Sequence, residues 1–466
     1  MQFNTFENNK IKKGFHLYLG ISNFEYLIDL NPNKSKFVAK LLFEAFDLLL
    51  KEIEKVMAPY SNTYIEKISG SRIHCVIEDR SNEDLSIAFY SIVRQFYKCV
   101  DLINNKVNKF NALDDFVINV GCDYGYYVDY VIDFVNPNED NSIGFPCNRA
   151  AKIQSYCDPN EIIVSSKAYN RLTTGNRKMP FAVVDKERAV LKGTNYEDTY
   201  YSISKPKWSS IDSSNGLLEN EKSFNEFAVL IEKLNENSGS VSNNLASHID
   251  SNIVLCDIRG FTKMFNADGS NLVQMARVTS ASLNKMYGTG TRNKLNYIQC
   301  QGDREAFYSD DSSVYLSILA ALELITDFKN HYSILNRENQ NTYKDIAISL
   351  GIASGNFYLG SVGVKSSKSP LIVGNTYVHA NKAEDKYAAH PYSISLHKST
   401  YDKAINDKNK AFGLVIKRLF KQISNTDYYL WDEKVSKETY MNVFERVRLE
   451  QNNVGQSSDG GKPWSR

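Results

Sequence analysis

The chain has 466 residues, 42% hydrophobic and 12% aromatic, enough for two or three domains with substantial cores. Its 55 basic and 54 acidic residues leave a net charge of +1, so the composition gives no sign of the basic surface that a nucleic-acid partner requires. The seven cysteines form no Cys-x-x-Cys pair. There is no apolar run of ~18 residues and no charged-then-apolar start, which together read as a cytoplasmic protein with reduced thiols and no membrane segment.

In chain order, Phe15-His-Leu-Tyr-Leu19 reads as a short strand. Next, Phe37, Val38, Leu41, Leu42, Ala45, Leu48 and Leu49 recur at three-and-four spacing and predict a helix with one buried face. A hairpin over 64–76 turns at Gly70, and after a second helix the strand Phe116-Val-Ile-Asn-Val-Gly-Cys-Asp-Tyr-Gly125 ends in glycines. The turn Gly144-Phe-Pro-Cys-Asn148 follows and runs on to Lys152. Between 205 and 248 the composition shifts to Ser, Asn, Glu and Lys, a linker with a helix predicted over Leu218 to Leu234.

The plan then repeats. Strand Ile253-Val-Leu-Cys256 precedes a helix, and a hairpin over 297–308 turns at Gly302. Strand Ile346-Ala-Ile-Ser-Leu-Gly-Ile-Ala-Ser-Gly355 carries the same Gly-x-x-x-Gly interval, and the turn from Gly374 runs on to Lys382. Landmarks offset by about 230 throughout indicate a duplicated unit. The expected domains are 10–204, a linker at 205–248, 249–433, and a C-terminal segment at 434–466 with a disordered end.

Two aspartates stand out, Asp257 in Asp257-Ile-Arg-Gly-Phe-Thr262 and Asp303 in Gly302-Asp303. Either alone reads as a turn cap. Together, at the end or turn of two strands, they offer hard oxygen ligands of the kind that hold Mg²⁺ or Mn²⁺ beside substrate phosphates.

With Gly351-Ile-Ala-Ser-Gly355 and Val373-Gly-Asn-Thr376, these segments resemble the class III nucleotidyl cyclase catalytic domain over about 252–403, and 15–166 looks like a diverged copy. The resemblance implies an α+β fold, two ferredoxin-like domains packed head to tail as an intramolecular pseudo-dimer, with sites in the cleft between them. It implies two divalent ions, Mg²⁺ or Mn²⁺, held by Asp257, Ile258 and Asp303. The first half has Gly20 and Ser71 where those aspartates would stand. The complementary roles fall on the first half: Lys67 and Asn141 as base readers, Asn148 for the ribose, Lys152 for the transition state and Lys192 for the terminal phosphates. The second half has Gln299, Leu371 and Val378 at the base-reader and ribose positions. One composite site is therefore expected.

Lys152 stands where the family has an arginine, which keeps the charge and loses the two-pronged geometry. Arg259 and Arg304, beside the aspartates, read equally as phosphate contacts or surface residues, and lone His379 reads as structural. Lys67 with Asn141 suits uracil, O4 accepting and N3–H donating, although an asparagine amide can be turned to match cytosine or adenine. A stand-alone chain of this plan resembles the pyrimidine cyclases of bacterial Pycsar antiphage defence, which implies cyclic UMP or cyclic CMP as product and a separate effector responding to it, and with the Lys67–Asn141 pair the expected conversion is UTP to cyclic UMP. The rivals are an adenylate cyclase and a catalytically silent nucleotide-binding sensor.

Overall fold

The computed structural model describes residues 11–29, 35–80, 85–109, 114–135, 139–173, 199–204, 221–236, 246–266, 268–309, 314–338, 343–363, 368–388, 390–431, 441–447 and 449. Lys192, most of the Ser- and Asn-rich linker stretches, and the tail from Gln451 lie outside them.

The first half runs β1 (Lys12–Ile21), α1 (Phe24–Asp29), α2 (Ser35–Met57), β2 (Thr63–Ser69), β3 (Arg72–Glu78), α3 (Leu85–Lys109), β4 (Ile118–Ile132), β5 (Glu139–Ile143), α4 (Phe145–Ser155), β6 (Glu161–Ser165), α5 (Ser166–Thr173) and β7 (Tyr200–Ser204). Its sheet has the order β2-β3-β1-β4-β6-β7, with β5 added to the outer end of β4. After α6 (Glu221–Glu236) the second half repeats the plan: β8 (Ala246–Arg259), a 3-10 turn (Phe261–Met264), α7 (Leu272–Arg292), β9 (Leu295–Gln301), β10 (Arg304–Ser309), α8 (Val314–Glu338), β11 (Ala347–Val362), β12 (Ser369–Val373) and α9 (Asn375–Lys382). A π-helical turn (Ala383–Tyr387), β13 (Ser393–His397), α10 (Lys398–Ile405), α11 (Lys410–Leu419), β14 (Phe420–Gln422) and β15 (Tyr428–Trp431) complete it. Its sheet order is β14-β15-β13-β11-β8-β10-β9, with β12 on β11. This is the expected α+β pair of sheets.

Strand alternation assigns the two faces of β1. Phe15, Leu17 and Leu19 join the helix-side core with α2 and α3, whereas His16, between them, is buried against Tyr127 and Cys147 on the other face. The Gly-x-x-x-Gly strands have a packing reason. A Cβ on Gly121 would lie 2.2 Å from the backbone N of Gln154, and one on Gly351 2.3 Å from the carbonyl O of Ala380, so each glycine lets α4 or α9 lie flat on its sheet. The helix foreseen in the linker, now α6, is part of the first core, with Phe224, Phe227 and Ile231 buried there. Near the C-terminus, Phe444 and Val447 are buried in the second core.

The halves are locked by exchanged hairpins. From β4, β5 and the start of α4, Val128, Tyr130, Ile132, Ile143 and Phe145 are buried in the core of the second half. In return, Val362, Leu371 and Val373 of β11 and β12 are buried in the core of the first. At roughly 1.5–3 kcal/mol per buried apolar side chain, the exchange contributes on the order of 10 kcal/mol against separation of the halves. All seven cysteines are free thiols and six are buried. Among the described residues, no helix is long and apolar enough to cross a membrane.

Candidate active site

Strand registers superimpose the two halves residue by residue. Gly20 lies opposite Arg72 and Asn119, and Asp257 lies opposite Arg304 and Ser349. The N–H of Ile21 donates to the carbonyl of Ser71 at 3.0 Å, and that of Ile258 to the carbonyl of Asp303 at 3.1 Å. Gly20 therefore stands for Asp257 and Ser71 for Asp303. Lys67 pairs with His74 as Gln299 pairs with Ala306, Tyr130 with Asn141 as Gly360 with Leu371, and Asn148 follows Gly144 as Val378 follows Gly374. Leu371 and Val378 are buried, so the second base-reader and ribose positions are apolar on that side of the pseudo-twofold axis.

On the other side lies a half-open cleft of about 520 Å³. Asp257, Ile258 and Asp303 line it from the second half, and Lys67, Asn148 and Lys152 from the first. The elements explain the placement. Asp257 sits near the C-terminal end of β8, and Gly302, at φ 73°, turns β9 into β10 so that Asp303 arrives beside it. Gly260, at φ 81°, swings the chain into the 3-10 turn, and a Cβ there would lie 2.3 Å from the carbonyl O of Asp345. Ile258 has its side chain in the core, which leaves only its backbone to face a cation.

Burial raises the pKa of Asp257 well above the usual range, helped by the negative charges of Glu384 and Asp303. Asp303 is likewise raised, by burial first. Nearby arginines do not close over Asp257: Arg304 Nε is 3.7 Å and Arg259 Nε 3.9 Å from its carboxylate. Both are pinned on buried Glu384 instead, Arg259 at 2.7 Å, with Arg304 also donating to Asn381 at 2.7 Å. Two hard-oxygen carboxylates set side by side, their pKa values raised by burial, fit a divalent cation.

From the first half, Lys152 reaches Thr262 Oγ1 at 3.4 Å, and burial lowers its pKa against the opposing pull of Asp303 and Asp257. Asn148 Oδ1 lies 3.9 Å from the Cβ position of Gly302, while its Nδ2 is buried without a hydrogen-bond partner. Lys67 donates to Asn141 and lies 3.2 Å from Glu66. Asn141 itself is behind Lys67: it is 1% exposed, is absent from the cleft wall, and donates to Tyr130 Oη at 2.6 Å and to the carbonyl of Gly302 at 3.2 Å. Glu139 crosses beside it, accepting from Tyr297 Oη at 3.0 Å and from the N–H of Cys300 at 3.1 Å.

Tyr18, Arg72 and Lys263 also line the cleft, and sequence reasoning missed them. A signal existed for Arg72, since Gly70-Ser-Arg72 repeats Gly302-Asp-Arg304 across the duplication. Glu384 had none, because it approaches from a π-helical turn 80 residues beyond Arg304.

A class III adenylyl cyclase-like ATP-binding protein from Pseudomonas aeruginosa shares this fold with a TM-score of 0.63, at 15% identity over 86% of this chain and 88% of that one. The adenylyl cyclase CyaB from P. aeruginosa aligns over 40% of this chain and 96% of its own at 18% identity, TM-score 0.31. The guanylate cyclase domain of RhGC from Catenaria anguillulae aligns over 40% and 98%, also at 18% identity and TM-score 0.31. No protein-family model and no curated protein sequence matches the chain. The fold is thus that of a class III cyclase-like protein with two such units in one chain.

Proposed function

We propose that the protein is a metal-dependent nucleotidyl cyclase with one working site, converting UTP in preference to other nucleoside triphosphates into 3′,5′-cyclic UMP and pyrophosphate. The observation that carries this reading is the single cleft in which Asp257 and Asp303 of one half face Lys67, Asn148 and Lys152 of the other. Two Mg²⁺ or Mn²⁺ ions held by Asp257, the backbone of Ile258 and Asp303 would supply Lewis-acid activation of the ribose 3′-hydroxyl and charge neutralisation on the phosphates. Asn148, on the cleft wall, holds the ribose through its side-chain amide so that the 3′-oxygen lies in line with the α-phosphorus. Lys152 places its charge on the α-phosphate oxygens as the P–O bond to pyrophosphate breaks. Lys67 meets the base. Lys263 on the cleft wall joins the expected Lys192 as a contact for the terminal phosphates. On this reading, as in the Pycsar resemblance, a separate effector protein would sense the cyclic product.

A second reading, a nucleotide-binding sensor without turnover, is favoured by the ATP-binding description of the Pseudomonas aeruginosa protein. Incubation of the purified chain with each of the four ribonucleoside triphosphates and Mn²⁺, with products resolved by mass, separates them. Cyclic UMP is expected. Cyclic AMP alone sinks the pyrimidine assignment, and binding without any cyclic product supports the sensor.

A further inference from the structure

We propose that Glu66 is the positioning residue that sets base selectivity, fixing the cleft as a donor-only reader for bases with a keto group at the edge facing Lys67. This rests on the cleft being a nucleotide site, as proposed above.

The side chain of Glu66 is 1% exposed, in the bulge where the β2–β3 register shifts between Ile65 and Lys67. Burial opposes its ionisation, but His74 and Lys67 outweigh it and hold the carboxyl well below the usual range. One oxygen lies 3.2 Å from Lys67 Nζ and accepts from the N–H of Ser142 at 3.1 Å. The other accepts from Ser142 Oγ and lies 3.3 Å from His74 Nδ1. Through Ser142 it anchors the residue after Asn141, and Ser142 Oγ is also 3.6 Å from Cys147 Sγ, next to Asn148. His74 in turn stacks on Tyr18 of the cleft wall, ring centroids 4.3 Å apart. One carboxylate thereby ties together three positions at the cleft.

His16, Glu66 and His74 lie close enough to suggest a cation centre. Their nearest contacts run otherwise: His16 meets His74 Nε2 at 3.0 Å, while Glu66 meets Nδ1 on the opposite side of the same ring. The imidazole stands between the other two ligands, and the three form a line of close polar contacts leading to Lys67.

The consequence is chemical. An ammonium has three donors and no acceptor. Glu66 and Asn141 each engage Lys67, and one N–H remains for the cleft. Asn141 offers the base no acceptor, because it is 1% exposed and absent from the cleft wall, with its Oδ1 turned to Lys67 and its Nδ2 to Tyr130 and Gly302. The 4-oxo group of uracil or the 6-oxo group of guanine satisfies the free N–H, whereas the 4-amino group of cytosine or the 6-amino group of adenine sets donor against donor.

The test uses the full chain with Mn²⁺ and all four triphosphates, reading kcat and KM separately, with calorimetric binding of each nucleotide alongside. The wild type is expected to prefer UTP over CTP by about tenfold or more, and Glu66→Gln to raise KM for UTP about tenfold with kcat within about threefold, bringing the UTP/CTP ratio towards one. Ser142→Ala, which keeps the charges, should move the ratio in the same direction by less and covers the case in which Glu66→Gln does not fold. Loss of kcat on all substrates with an unchanged ratio, or an unchanged ratio and KM in Ser142→Ala, overturns the proposal. If the wild type yields no cyclic product, turnover is refuted, and the UTP/CTP ratio of binding constants still decides the role of Glu66.

Discussion

Asn148→Ala should make the protein no less stable and much less active. The Nδ2 group is buried without a partner, and a buried unsatisfied donor costs about 1–3 kcal/mol. Truncation removes that cost, and against it stands only the loss of a few contacts in a half-open cleft. The net expectation is a gain of about 0–2 kcal/mol, which for domains of this size raises Tm by about 0–6 °C. The amide of the same residue is the one assigned to the ribose, and a contact that acts in the transition state contributes about 2.7 kcal/mol or more, equivalent to about 100-fold in kcat. Melting without nucleotide and cyclic-product formation with Mn²⁺ and UTP, measured on one preparation, check both parts. A variant that melts several degrees lower, or one that keeps full activity, refutes the assignment of the first half as the ribose-binding partner.

Three further outcomes follow from charge and backbone. Asp257 and Asp303 have raised pKa values, so the fold holds protons above the unfolded carboxylate value of 3.8, and metal-free stability falls as pH rises through that window. Mn²⁺ replaces those protons, so the gain in Tm on adding it should grow from pH 5 to pH 8 and vanish in Asp303→Asn; a gain that is the same at both pH values counts against the site. His16 is buried and its pKa is lowered from 6.5 to about 3, chiefly by burial, so the stability it confers is present above 6.5 and lost as pH falls. The slope should be about 1.4 kcal/mol per pH unit across that interval, and denaturant titrations of His16→Gln should show a shallower acid limb. Gly260→Ala forces a Cβ to 2.3 Å from Asp345 O at φ 81°, and should cost about 2 kcal/mol or more together with cyclase activity, since the turn it opens lines the cleft. Unchanged melting would show that the turn accommodates a side chain.

Much of this plan is legible in the chain because duplication preserves spacing. An offset of 232 carries Ser71 to Asp303 and Lys67 to Gln299, and strand registers convert that spacing directly into position. The same spacing says nothing about which polar atoms are already engaged. Asn141 reads as a base contact in sequence, yet the fold surrounds it with Lys67, Tyr130 and Gly302 from three different strands or turns, and it stands behind the wall it was expected to form. Arg259 and Arg304 read as possible phosphate contacts, and Glu384 claims both.

The sequence by itself determined the α+β repeat, the pair Asp257 and Asp303, and the complementary losses at Gly20, Ser71, Gln299, Leu371 and Val378, because these depend on local pattern and on residue identity. Only the tertiary structure decided that Asp257 and Asp303 meet Lys67, Asn148 and Lys152 of the other half in one cleft, and that Glu66 lies against Lys67 there. Burial and hydrogen-bond saturation depend on groups distant in the chain, and no spacing rule encodes them.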